Sequence, residues 1–144
     1  MVIIMADVHT PEQRSYNMSQ IRSKNTKSEE IVRKFLFSQG FRYRKNDTRL
    51  PGKPDLVLPK YKTVIFVNGC FWHGHEGCRY FVWPKKNEAF WKEKIAGNIS
   101  RDQRNHLLLA EQGWRVIDVW ECELKKATVH DTLANLVNEL RNEK

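Results

Sequence analysis

The densest chemistry in this 144-residue chain lies in Cys70-Phe-Trp-His-Gly-His-Glu-Gly-Cys78. A structural zinc ion takes about four sulfur or nitrogen ligands arranged as a tetrahedron. Cys70, His75 and Cys78 are close enough in sequence to wrap one ion, so a fourth ligand must come from elsewhere. Cys122 is the only other cysteine, and a Cys3His set would use all three cysteines of the chain. His73 and Glu76 compete for that fourth place. A closed set leaves no position for water, which makes it structural rather than catalytic. Three ordinary buried thiols are the plainer alternative. An odd cysteine count without a secretion signal argues against a disulfide framework and for a reducing compartment.

The second cluster is Leu50-Pro-Gly-Lys-Pro-Asp55-Leu-Val-Leu58, with a further apolar run ending at Asn68. A Pro-Asp at the start of one strand, with another strand close behind, is the front half of a nuclease pattern. The carboxylate holds Mg²⁺ against a phosphate, and the proline keeps the approach extended. Pro-Asp is also a common turn dipeptide. The usual second half is a carboxylate, one residue and a lysine, but here Phe66-Val67-Asn68 stands in that place. Another group must then move the proton. His73 is the candidate, since a neutral imidazole accepts a proton from water near neutral pH. A spare zinc ligand or a phosphate contact are its alternatives.

Aromatic residues crowd the same region. Phe71 and Trp72 adjoin Cys70, and Phe90-Trp91 lies among Lys85, Lys86, Lys92 and Lys94. Aromatics interleaved with cations stack on bases while the cations take phosphates. Core packing accounts for some, such as Trp114. It is a weaker account of Phe71 and Trp72, because consecutive residues of an extended loop cannot both face one interior. Arg22, Lys24, Lys53 and Lys92 are candidate phosphate contacts.

These groups need a scaffold. A polar arm over residues 1–25, with a short helix around Arg14–Ile21, precedes a single domain over 26–144. Ser28 or Thr26 can cap a helix that runs to about Gln39, with Ile31, Val32, Phe35 and Leu36 at helical spacing and Gly40 as its stop. Strands are expected at Phe41–Lys45, Asp55–Leu58, Thr63–Asn68 and Trp114–Trp120. Thr63–Asn68, a β-branched and aromatic run, suits a buried central strand. Asn87 to Gln112 reads as a long helix with Phe90, Ile95, Ile99, Leu107 and Leu108 among its apolar positions, and Thr128–Arg141 as a last one. The order αβββαβα describes an α/β domain with a mixed central sheet flanked by helices. If the Trp114–Trp120 strand neighbours Thr63–Asn68, Cys122 comes to the zinc loop.

Composition narrows the class. Hydrophobic residues are 40% and charged residues 29%, with 7 Gly and 5 Pro, which excludes collagen-like, low-complexity and disordered chains. No apolar run reaches the roughly 18 residues of a membrane span, and Met1–Met5 lacks the features of a signal peptide. A cytoplasmic protein is the expectation, with either Met1 or Met5 as its start. Lys and Arg total 25 against 17 Asp and Glu, a net charge of +8 that favours a nucleic-acid partner. No apolar stripe is left over for an oligomer, so a monomer is expected.

With these residues in place, the chain resembles the very-short-patch mismatch repair endonucleases, the Vsr family. The resemblance runs from about Met5 to Cys122–Leu124. It is carried by Arg14-Ser-Tyr-Asn-Met18, Leu50-Pro-Gly-Lys-Pro-Asp55, Val64-Ile-Phe-Val-Asn-Gly-Cys-Phe-Trp-His73, the Phe90-Trp-Xaa-Glu-Lys-Ile95 stretch and Gly113-Trp-Arg-Val with Val119-Trp-Glu-Cys122. The resemblance implies a restriction-endonuclease-like fold and a Mg²⁺-dependent enzyme. Such an enzyme nicks one strand of double-stranded DNA 5′ to the T of a T·G mismatch, the lesion left by deamination of 5-methylcytosine.

It further implies that Asp55 binds Mg²⁺, that Glu29 reaches the metal through water and that His73 is the catalytic histidine. Cys70, His75, Cys78 and Cys122 would hold structural zinc. Phe71, Trp72 and Trp91 would wedge into DNA beside the mismatch, with Met18 in the arm that closes over the other groove. A mismatch-repair protein is a candidate partner, and action at the nucleoid follows. Val67 and Asn68 depart from members that carry Thr and His there, and the loop holding His75 differs in composition and length. Another nuclease of the same fold, or a zinc-stabilised module that binds DNA without cutting it, are the competing classes.

Overall fold

The computed structural model describes residues 27–142. The arm over 1–25, with Met18, Arg22, Lys24 and the Arg14–Ile21 helix, falls outside the described residues, as does the Thr26 cap. Helix α1 spans Lys27–Ser38. Ser28 lies within it rather than capping it. Val32 and Leu36 are buried one turn apart, the inward face that their spacing predicts. Gly40, at a φ of 91°, ends the helix in the left-handed region.

Strand β1 is Arg44–Lys45, β2 is Leu56–Leu58, β3 is Thr63–Asn68 and β4 is Arg115–Trp120. They form one sheet in the order β1-β2-β3-β4. The first two pairings are antiparallel, and β3 runs parallel to β4. The first strand is shorter than the expected Phe41–Lys45. Phe41 instead turns into the core at 2% exposure, with its ring 5.2 Å from Tyr61. Asn46, at a φ of 48°, breaks the extended run at the other end.

Helix α2, Glu88–Glu111, crosses from β3 to β4, and α3, Val129–Asn142, closes the domain. Alternation along the strands sorts the layers. Leu56, Leu58, Ile65, Val67, Ile117 and Val119 meet α1 and α3 on one face. Val57, Val64, Phe66 and Val116 meet the C-terminal part of α2, through Leu109, on the other. The N-terminal part of α2 carries Trp91 and Ile95 into a separate cluster with the Cys70–Cys78 loop. Its inward stripe therefore runs through Trp91, Ile95, Ile99 and Leu109. Phe90, Leu107 and Leu108 fall off that stripe and are exposed. The mixed sheet with helices on both faces fits a restriction-endonuclease-like fold. Among the described residues, no helix is long and apolar enough to cross a membrane.

Candidate active site and metal centre

Parallel pairing of β3 with β4 places Asn68 opposite Trp120, so both strands end at the same edge of the sheet. The loop after β3 and the 3₁₀ turn Glu121–Leu124 after β4 then meet. Cys70, His75, Cys78 and Cys122 offer ligand atoms that all lie within 4.8 Å of one another. Cys122 Sγ stands 3.5 Å from His75 Nδ1. The His75 ring stacks on Trp120 at 3.9 Å between centroids and 5° between planes. Neither His73 nor Glu76 belongs to the group.

The chemistry of this donor set calls for a cation. Burial pushes the Cys70 thiol far up, and the neighbouring Cys78 and Cys122 add to the rise. Burial also raises Cys122. Burial works the same way on Cys78, but the N–H groups of Tyr80 and Phe81 and its thiol neighbours bring it below the ordinary thiol value. Three clustered sulfurs cannot all ionise unless a positive ion sits among them. The Cys3His set can hold zinc, and the competing fourth ligands of the sequence reading drop out.

The loop is curled rather than extended. His73 N–H donates to Gly69 O, Gly74 N–H to Phe71 O and His75 N–H to Cys70 O. Gly74 has a φ of 60°, and a Cβ there would lie 2.6 Å from Ile99 Cδ1. The expectation that Phe71 and Trp72 cannot share an interior is thus overturned, because successive side chains of a tight turn can converge where those of a strand cannot. Phe71 and Trp72 are 4% and 8% exposed and pack with Trp91 and Ile95. Asn98 Nδ2 donates to Trp72 O at 2.8 Å, while the buried Trp72 Nε1 has no hydrogen-bond partner among the described residues.

Asp55 sits just before β2, and its Oδ2 accepts the backbone N–H of Val67 at 2.6 Å. Glu29 reaches the same carboxyl from α1 and is itself 5% exposed. Burial raises Asp55 to about 7; the Glu29 charge and hydrogen bond add to the rise, while the Val67 N–H and the nearby His73 oppose it. A cation joining the Asp55 carboxyl would displace the proton that burial keeps on it. The contact of Val67 with Asp55 is made by the backbone N–H and not by the side chain.

His73 Nδ1 lies 2.6 Å from Asp102 Oδ2. A carboxylate only accepts, so in the neutral imidazole Nδ1 carries the proton and Nε2 keeps a lone pair. Sequence reading missed Asp102 and Asn98. Both lie on the inward stripe of α2, between Ile95 and Leu109, where a polar residue signals a partner. Asp55, Glu29, His73 and Asp102 thus come from four segments to one site.

The sequence of this chain aligns with the family model described as DNA mismatch endonuclease Vsr over residues 6–79. It is 46% identical over 121 residues to DNA mismatch endonuclease Vsr of Escherichia coli, covering 84% of this chain and 77% of that protein. The chain belongs to the Vsr family of DNA mismatch endonucleases. It is similar, at 55% identity over 96% of its length and 99% of the relative's, to a type II nicking enzyme of Neisseria meningitidis. A type II nicking enzyme of Xanthomonas oryzae is 52% identical over 83% of this chain and 88% of its own. By that membership the protein is a DNA endonuclease.

Other residues of this Vsr-family chain stand apart from the centre or beside it. Lys53 is exposed on the loop before Asp55, at a φ of 49°. Lys92 is exposed and pairs with Glu88 at 3.1 Å. Asn68 donates through Nδ2 to Asp118 Oδ1 at 3.1 Å. Asp118 in turn lies 3.5 Å from His106 Nε2.

Proposed function

We propose that this protein nicks one strand of duplex DNA 5′ to the T of a T·G mismatch. The observation that carries this reading is the convergence of the Asp55–Glu29 carboxyl pair with an imidazole oriented by Asp102. Asp55 is the residue to hold Mg²⁺, with Glu29 beside it. Bound there, the ion would supply positive charge that lowers the cost of the charge developing on the phosphate oxygens. His73 Nε2 accepts a proton from the attacking water, and Asp102 stabilises the imidazolium that results. Water oxygen bonds to phosphorus, the bond to the 3′ oxygen breaks, that oxygen takes a proton from solvent water, and the His73 imidazolium gives its proton back to solvent. The products are a 5′-phosphate and a 3′-hydroxyl.

Cys70, His75, Cys78 and Cys122 would hold a structural zinc, which would fix the loop that carries His73. Phe71, Trp72 and Trp91 are the residues to wedge beside the mismatch. A T·G wobble pair stacks poorly and deforms at lower cost than a matched pair. In the free protein these rings are folded into their own cluster, so insertion requires them to leave it.

A strand-specific nicking assay with Mg²⁺ tests the reading, comparing T·G, matched and branched duplexes. The expected result is cleavage of the thymine strand of T·G duplex alone, lost in Asp55→Ala and His73→Ala. Cleavage of matched or branched DNA at the same rate would overturn it.

A further inference from the structure

The aromatic rings at the surface of the zinc-loop region are not the ones named as wedges. Phe71, Trp72 and Trp91 are buried, whereas Tyr80, Trp83 and Phe90 are exposed at 39%, 37% and 53%. These outer rings sit one layer above the buried cluster. Phe81 lies 6.0 Å from Phe71 and 4.8 Å from Trp83, and Phe90 lies 5.0 Å from Trp91. Pro84, next to Trp83 in the chain, is buried.

Cations are threaded through the same strip. Lys92 Nζ lies 6.0 Å from the Trp83 ring centre, and Arg79 and Lys125 approach Tyr80 at 5.4 and 4.9 Å. Lys85 and Lys86 are exposed beside Trp83. Residues 79–94 hold five Lys or Arg against Glu88 and Glu93. Protein interfaces are depleted in lysine at their centres. Exposed rings interleaved with lysines match a polyanion whose charged phosphates alternate with apolar sugar surfaces, which is nucleic acid.

We propose that Tyr80, Trp83 and Phe90, with Arg79, Lys85 and Lys86, form a duplex-anchoring strip distinct from the wedge. The proposal rests on the DNA-nicking reading above and adds a division of labour to it. The strip holds DNA before the buried rings are released, so it binds matched and mismatched duplex alike. Its lysines take phosphates, and its rings lie against the apolar faces of the sugars along the duplex backbone.

Fluorescence anisotropy with labelled T·G and matched duplexes tests this over a series of salt concentrations in Mg²⁺-free buffer. Each lost phosphate contact lowers the slope of log affinity against log salt by about 0.9. The Lys85→Ala/Lys86→Ala double variant is expected to lower that slope by about 2 units. Trp83→Ala is expected to weaken binding about fivefold or more with the slope unchanged. Both losses are expected to be equal for the two duplexes. Wild-type slope and affinity in the double variant would assign the patch to another partner and overturn the proposal. So would a loss confined to T·G DNA. Wild-type nicking of T·G DNA is measured in parallel. Its absence, with the salt slope still lowered, would defeat the nicking reading and leave the strip standing.

Discussion

Replacing Asp102 separates the imidazole from the carboxylate that orients it. In the native site His73 Nδ1 lies 2.6 Å from Asp102 Oδ2, a short charge-assisted hydrogen bond. Asp102→Asn keeps an acceptor oxygen but removes the charge, and its amide can equally turn a donor toward Nδ1 and favour the wrong tautomer. A hydrogen bond to a charged group contributes about 1.5–3 kcal/mol. Both side chains are 32% exposed, so solvent screening puts the value at the low end. The expected loss in the rate of the chemical step is about 10- to 100-fold. Asp102→Ala removes the acceptor as well, and its loss should approach that of His73→Ala, about 10²- to 10⁴-fold for a general base. The assay is single-turnover nicking of T·G duplex with enzyme in excess, so that binding and product release do not enter. The affinity for DNA, measured without Mg²⁺, should change little. A wild-type single-turnover rate in Asp102→Asn and Asp102→Ala would refute the role given to the pair. So would a loss found wholly in DNA affinity.

Three other outcomes follow from the same geometry. Cys122→Ser removes one ligand of a set contributed by two segments 44 residues apart (Cys78 to Cys122); metal analysis should find zinc lost, and thermal unfolding should show a midpoint lowered by about 10 °C, because the metal's binding energy is part of the folding energy. Retained zinc with an unchanged midpoint would remove the site. Gly74→Ala places a Cβ 2.6 Å from Ile99 Cδ1 and 2.8 Å from Ile95 Cγ2 at a φ of 60°; urea unfolding should show about 1–3 kcal/mol of destabilisation, and nicking should fall because the turn carries His73. Asp55 has a folded value of about 7 against an ordinary 3.8, so the folded state holds a proton that the unfolded state has released. In Mg²⁺-free buffer, stability should therefore fall as pH rises from about 4 to about 7 through this group. Asp55→Asn should flatten that decline and unfold at higher urea than wild type at pH 8, while losing all nicking. Equal pH dependence of the two proteins would show that Asp55 is ionised without its metal.

The candidate centre was legible in the sequence where the chemistry is local. Cys70, His75 and Cys78 lie within one loop, and Cys122 follows a strand that comes to the same end of the sheet if it neighbours Thr63–Asn68, as it does. The strands and helices carry their own signals in β-branched runs, helical spacing and glycine stops. The elements that came out differently did so for packing reasons. Phe41 left its strand for the core. The long helix used only a narrow stripe, because its two halves cover different partners, the metal loop and the sheet.

Amino-acid order alone therefore determined which residue types this protein has for chemistry, the order of its elements and the family they resemble. Only the folded chain decided which of those residues meet. Asp102 faces His73 because α2 lies across the loop. Glu29 shares a buried site with Asp55 because α1 packs where the sheet presents it. Whether Phe71 and Trp72 point inward was likewise decided by three backbone hydrogen bonds that curl the loop. Periodicity reports the face an element buries, a local property. Contacts between elements depend on how faces far apart in the chain are set against one another, and no short window of sequence contains that.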